Sequence, residues 1–138
     1  MQELKETLRS SVRLSFDGRV YKTYRGPRAH ERFDNEVRIL RHLGQAECPF
    51  VPTLLEVQPE KLTIVTTSCG MRVHVLDEQR RAEIFAELEK FGVKHDDPDM
   101  RNVTYRMSDG HFCVVDFEFA EILPGFKSAP GGLTQEQK

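Results

Sequence analysis

An Asp-Gly pair at positions 17–18 constrains this chain more than any other feature. Val12-Arg13-Leu14-Ser15-Phe16 precedes it and Arg19-Val20-Tyr21-Lys22-Thr23-Tyr24 follows. An Asp-Gly pair between two β-rich runs is a strong signal for an antiparallel hairpin. Gly26-Pro27 ends that hairpin. Residues 29–43 then read as a helix closed by Gly44, with Phe33, Val37, Leu40 and Leu43 as its apolar stripe. A second hairpin is expected over 54–57 and 62–67, around Gln58-Pro59-Glu60, with Thr67-Ser68-Cys69-Gly70 as the connector after it. A second helix is expected over 78–91, with Asp77 as N-cap and Gly92 just past its end. Ile84, Leu88 and Phe91 supply its buried face, with Phe85 beside them. Two short strands, 102–105 and 111–116, follow around Ser108-Asp109-Gly110. Strands, helix, strands, helix, strands is the order of an α+β chain, with no βαβ repeat to imply a parallel sheet.

Composition narrows the class. The 138 residues are 38% apolar and 30% charged, which suits a globular chain rather than a disordered or fibrous one. A net charge of -2 gives no general attraction to nucleic acid or acidic lipid. No apolar run approaches the ~20 residues that span a bilayer. The start, MQELKETLRSS, has no apolar core of the signal-peptide kind, so the expected location is the cytosol, with no membrane partner. Cys48, Cys69 and Cys113 lack disulfide or zinc spacing and read as buried apolar thiols. Residues 124–138 have little to bury and are expected to be a disordered tail.

Four features carry possible chemistry. On the helical projection Glu36 falls between Leu40 and Leu43, so it needs either a partner or an aqueous edge. Lys22 shares a strand face with Val20 and Tyr24; it either snorkels to water or meets an inward carboxylate. The run His95-Asp96-Asp97-Pro98-Asp99-Met100-Arg101-Asn102 is either a solvated turn or a set of oxygen ligands. It lacks the central glycine and final glutamate of a calcium loop. Finally, Phe112-Cys113-Val114-Val115 delivers Asp116 at the end of an apolar strand, followed by Phe117 and Glu118.

In this order the features resemble the protein kinase superfamily. His95, Asp97 and Asn102 match H-x-D-x-x-x-x-N, and Asp116-Phe117 matches the start of D-F-G. From Asn102 to Asp116 is 14 positions, as a catalytic loop and its following hairpin require. Val20 and Lys22 match the Val and Lys of V-A-I-K. Asp-Phe-Glu resembles the choline kinase and aminoglycoside phosphotransferase branch more than typical Ser/Thr kinases. The resemblance covers about residues 12–121.

The resemblance implies a protein kinase-like α+β fold. Residues 1–70 would form a small antiparallel sheet lobe with one helix, and residues 71–123 a much reduced helical lobe. It implies an ATP- and Mg²⁺-dependent phosphotransferase acting on a protein Ser/Thr or a small-molecule hydroxyl. Lys22 would hold the α/β-phosphates, oriented by Glu36. Asn102 and Asp116 would bind Mg²⁺, Asp97 would accept the proton of the attacking hydroxyl, and His95 would pack the catalytic loop. Val20 would line the adenine pocket, with Thr66, Thr67, Ser68 and Cys69 in the hinge that ends at Gly70.

Three departures limit it. No G-x-G-x-x-G precedes Lys22, Asp99 stands where a basic residue usually meets the γ-phosphate, and only 22 residues follow Asp116. A nucleotide-binding pseudokinase therefore stays open, as does a core completed by a second copy or another partner. A ligand-free α+β interaction domain would need the motif order to be accidental.

Overall fold

The computed structural model describes residues 2–126. Strands β1 (Gln2–Glu6), β2 (Ser10–Leu14) and β3 (Arg19–Tyr24) lead to helix α1 (Ala29–Gln45). Strands β4 (Leu54–Gln58), β5 (Thr63–Thr67) and β6 (Met71–Arg72) precede helix α2 (Glu78–Lys90). The remaining strands are β7 (Val93–Lys94), β8 (Val103–Arg106), β9 (His111–Val114) and β10 (Glu121–Ile122). The architecture is thus mixed α+β. Its main sheet has five antiparallel strands in the order β1-β2-β3-β5-β4. Smaller pairings join β6-β8-β9 and β7-β10.

The hairpin expected at Asp17-Gly18 is present, but its loop is wider than two residues. β2 ends at Leu14 and the Ser15 N–H donates to the Arg19 carbonyl at 2.8 Å. Asp17 accepts from both the Ser15 hydroxyl and the Arg19 N–H, which fixes the loop. Phe16, expected within the strand, lies in this loop and is almost fully exposed.

Helix α1 runs two residues beyond the expected end, through Gly44 to Gln45. The residue that turns left-handed is Glu47, at φ 59. Cys48 N–H donates to Leu43 O at 3.0 Å and Glu47 N–H to Gly44 O at 3.1 Å. This is the paired-bond pattern that usually selects glycine at the left-handed position; a glycine therefore misplaced the boundary. The expected stripe of Phe33, Val37, Leu40 and Leu43 is buried, together with Ile39. Burying each such side chain contributes about 1.5–3 kcal/mol. α1 packs on β3 and β4.

α2 begins at the expected cap, where Asp77 accepts from the Arg80 N–H at 2.8 Å, and Gly92 follows it at φ 90. Its buried face is Ile84, Phe85 and Leu88. One hydrophobic cluster joins this face to the α1 stripe and to Val93, Val103, Val114 and Phe117. The chain past Ile122 makes a turn at Pro124-Gly125 and brings the Phe126 ring to 6.5 Å from that of His42. Up to Phe126 the expected tail is therefore structured; the rest of that expectation lies outside the described residues.

Gly70 ends the connector between β5 and β6 at φ +86, and a Cβ there would lie 2.0 Å from the Tyr105 carbonyl oxygen. Gly18 is also left-handed, at φ +84, but faces open space. Gly18→Ala should therefore cost about 1–2 kcal/mol, the left-handed penalty alone. Gly70→Ala should cost clearly more, because the connector must also move away from β8. Urea unfolding of both variants checks this; equal losses would remove the close approach as the reason for glycine.

Candidate functional site

β3 is a central strand whose neighbours are β2 and β5. Period-two alternation puts Val20, Lys22 and Tyr24 on the face that looks towards α1. Lys22 is 6% exposed and Glu36, from α1, is 4% exposed. The Lys22 Nζ donates to Glu36 Oε1 at 2.8 Å. It also meets Asp116 Oδ1 at 3.2 Å and Glu118 Oε2 at 2.8 Å. Of the two alternatives open for Lys22, the inward ion pair is the one adopted, and one ammonium serves three carboxylates.

Each carboxylate is held by a second element. Glu36 Oε1 accepts from the Tyr24 hydroxyl, and its Oε2 accepts from the Phe117 backbone N–H at 2.9 Å. Glu118 accepts from Arg32 at 2.7 Å. Arg32 is 2% exposed and also donates to the carbonyls of Pro27 and Arg25. Asp116 Oδ2 accepts from Lys5 at 3.1 Å. Lys5, Lys22 and Arg32 thus balance Glu36, Asp116 and Glu118, and no net charge is stranded away from water.

Asp116 reaches the cluster because the chain leaves β9 before it. The strand, expected to run to residue 116, ends at Val114. Val115 N–H donates to Asn102 O at 3.0 Å, and Asp116 turns left-handed at φ 68. That conformation is strained for a residue with a side chain. Here the two lysines on its carboxylate hold it.

The charges set the titration. Burial pushes the Asp116 carboxyl up, but Lys22 and Lys5 outweigh it and hold the group well below the usual carboxylate range. Burial likewise opposes ionisation of Glu118, and Lys22 with Arg32 reverses it. For Lys22, burial pulls the ammonium down while Glu36, Tyr24, Asp116 and Glu118 drive it well above the ordinary 10.5. Burial and then Glu36 raise the Tyr24 phenol well above its ordinary value, so it stays a donor.

Beside the cluster lies a cavity of about 310 Å³. Lys22, Glu36 and Asp116 line it together, as do Val12 and Val20 from the sheet and Thr66, Thr67, Ser68 and Cys69 from the connector. Three cavity-lining groups that the sequence analysis picked out from separate segments therefore meet: Val20 with Lys22, Glu36 with Asp116, and the 66–69 connector. Leu4 and Lys5 line the cavity as well, and Arg72 and His74 are exposed members of its lining.

Asp97 and Asn102 are not among the residues that line it. Both Asp97 oxygens accept from Arg101 at 2.9 Å, and this hydrogen bonding lowers its carboxyl below the usual value. The Asn102 amide donates to the Asp97 carbonyl and to Oδ2. His95 ties this turn to the chain before Asp116. Its Nδ1 accepts from the Asp97 N–H at 3.0 Å, so Nε2 carries the proton and donates to Val115 O at 3.0 Å. Its ring packs between those of Phe85 and Phe117.

Among the described residues no three His, Cys, Asp or Glu side chains gather as a metal cage. Magnesium needs less from a protein, often one or two carboxylates completed by phosphate oxygens and water. Asp116 suits that role: it is ionised and faces the cavity. Asn102 is tied to this segment only by its backbone carbonyl, which accepts from the Val115 N–H, while its side-chain amide donates to Asp97. A cation at Asp116 would have to share oxygens that Lys5 and Lys22 now hold.

Lys5 and Arg32 were not singled out from the sequence, and Glu118 was read there only as the third letter of Asp-Phe-Glu, with no partner assigned. Arg32 lies four positions before Glu36, on the same helix face, which was a usable signal. Lys5 had none, since β1 carries no apolar alternation. No family model matches the chain, and no curated protein matches it. Among the described residues no helix is long and apolar enough to cross a membrane.

The linkage has a definite sign. Asp116 and Glu118 have depressed folded values, so their contribution is present above the unfolded carboxylate range near 4 and is lost as acid protonates the folded state. Lys22, raised when folded, contributes at every pH below its unfolded value of about 10.5. Lys22→Met should destabilise by about 3–5 kcal/mol at pH 8, because it strands buried carboxylates. Burial then acts on Asp116 and Glu118 with less opposition, so the folded variant takes up protons more readily. Its deficit against wild type should shrink as the pH falls from 8 to 5. Equilibrium unfolding at several pH values checks this, and a deficit independent of pH would contradict it.

Proposed function

We propose that the cavity is the ATP site of a very small kinase-like phosphotransferase with a reduced second lobe. The observation that carries the reading is the meeting of Lys22, Glu36 and Asp116 at one cavity, from a strand, a helix and the segment after β9. A buried lysine oriented by a glutamate can present its ammonium to phosphate oxygens. The apolar side chains of Val20 and Val12, with the 66–69 connector, supply a lining suited to a purine. The acceptor would be a protein Ser/Thr or a small-molecule hydroxyl.

In that reaction the hydroxyl oxygen bonds to the γ-phosphorus, the bond to the leaving nucleoside diphosphate breaks, and the hydroxyl proton passes to Asp97. Bound at Asp116, with Asn102 alongside, Mg²⁺ would neutralise charge on the triphosphate. Lys22 stays protonated throughout and holds the phosphates in place.

A second reading, nucleotide binding without transfer, is favoured by the state of Asp97. Both its oxygens are engaged by Arg101, and it stands outside the cavity lining. A carboxylate so held is a weak base until Arg101 lets go.

Thermal unfolding with millimolar Mg-ATP tests both. A ligand bound only by the native state raises the melting temperature. Wild type should shift upwards, Asp116→Ala should lose the shift, and Asp97→Ala should keep it while losing any transfer. A wild-type shift without transfer to any acceptor selects the second reading. No shift at all leaves an α+β domain without a nucleotide.

A further inference from the structure

Leu4 and Lys5 are neighbours in a strand, yet both line the cavity. Regular alternation would send them to opposite faces. The pairing of β1 with β2 steps from Glu3↔Arg13 to Lys5↔Val12, leaving Leu4 as an extra residue. Such a bulge bends a strand and re-aims its side chains. It places Lys5 in one cross-sheet row with Val12, Lys22 and Ile64.

From that row the Lys5 ammonium crosses to Asp116 and donates to Oδ2 at 3.1 Å, while Lys22 takes Oδ1 at 3.2 Å. The Lys5 side chain is 34% exposed. A lysine that wet gains little stability from one carboxylate. The bulge and the reach therefore want another explanation, and the cavity they open onto offers one. Nothing ahead of Lys22 in the sequence resembles a glycine-rich phosphate loop, and Leu4 and Lys5 of β1 line the cavity.

We propose that Lys5 is a second phosphate-binding cation of this cavity, resting on an oxygen of Asp116 that a divalent cation would use until an anionic ligand arrives. The proposal builds on the nucleotide reading above. On ligand entry Lys5 moves from Asp116 to a phosphate oxygen, and Oδ2 is released. Lys5 thus favours polyphosphate and opposes a metal ion bound alone. Removing it should change the two affinities in opposite directions, which loss of a merely structural contact would not do.

The test uses Lys5→Met and Lys5→Arg in the full chain, with far-UV circular dichroism to confirm folding. Mn²⁺ binding is measured by electron paramagnetic resonance without nucleotide. ATP and inorganic tripolyphosphate binding are measured by calorimetry in EDTA. Lys5→Met should bind both polyphosphates about tenfold more weakly, as for the loss of one charge-assisted hydrogen bond. It should bind Mn²⁺ severalfold more tightly, and Lys5→Arg should keep wild-type polyphosphate affinity. Equal loss for ATP and tripolyphosphate places Lys5 on phosphate rather than on the base. Wild-type polyphosphate binding that Lys5→Met leaves unchanged overturns this proposal alone, as does a parallel fall in metal and phosphate affinity. Failure of wild type to bind either polyphosphate overturns it together with the nucleotide reading.

Discussion

The Lys22 ammonium sits where water scarcely reaches, and the structure around it is arranged to keep that charge tolerable. Taking one ion out of water costs several kcal/mol even after relaxation. Glu36, Asp116 and Glu118 meet that demand together, at 2.8, 3.2 and 2.8 Å. They come from α1 and from the segment after β9. The ammonium therefore cross-braces the sheet, the helix and the C-terminal part of the chain, and the brace is polar at the point where the apolar core gives way to the cavity.

Several local features make sense only as support for this brace. Arg32 is buried because Glu118 would otherwise carry more negative charge than Lys22 alone balances. Phe117 is fully buried and its N–H donates to Glu36, so the residue between two charged side chains anchors both. His95 holds the turn of Asp97 against the backbone of Val115, one residue before the strained Asp116. Strain at Asp116, the imidazole behind it and the ammonium before it are one mechanical unit. Convergence of perturbed groups on one cavity is a pattern that functional sites share with structural ion-pair networks.

Much of this was legible in the sequence. The α1 stripe announced its own buried face, and Glu36 within it announced the need for a partner or an aqueous edge. The alternation of β3 put Lys22 on the matching face. The caps of α2 were readable because Asp77 and Gly92 act through local backbone hydrogen bonds. Misreadings arose where another contact, near or distant, overrode the signal of a single residue. Gly44 looked like a helix end, but the left-handed turn belongs to Glu47, whose neighbour Cys48 bonds back to Leu43. The apolar run after His111 looked like a strand through Asp116, but the lysines draw that carboxylate out of the ladder. The two-residue strands β6, β7 and β10 carry no period to read.

What the chain determined by itself was the set of inward faces: which side chains point to the core, and that a lysine and a glutamate lie on those faces, each needing either a partner or an edge to water. Periodicity and capping decide that, because both act between near neighbours. The tertiary structure alone decided which carboxylates Lys22 would meet, that Arg32 and Lys5 would join them, and that Asp97 and Asn102 would stand outside the cavity lining. Those outcomes depend on a bulge at Leu4, a left-handed turn at Asp116 and the packing of His95 between two phenylalanines. Each is settled by contacts between residues far apart in the chain, where sequence spacing carries no geometric information.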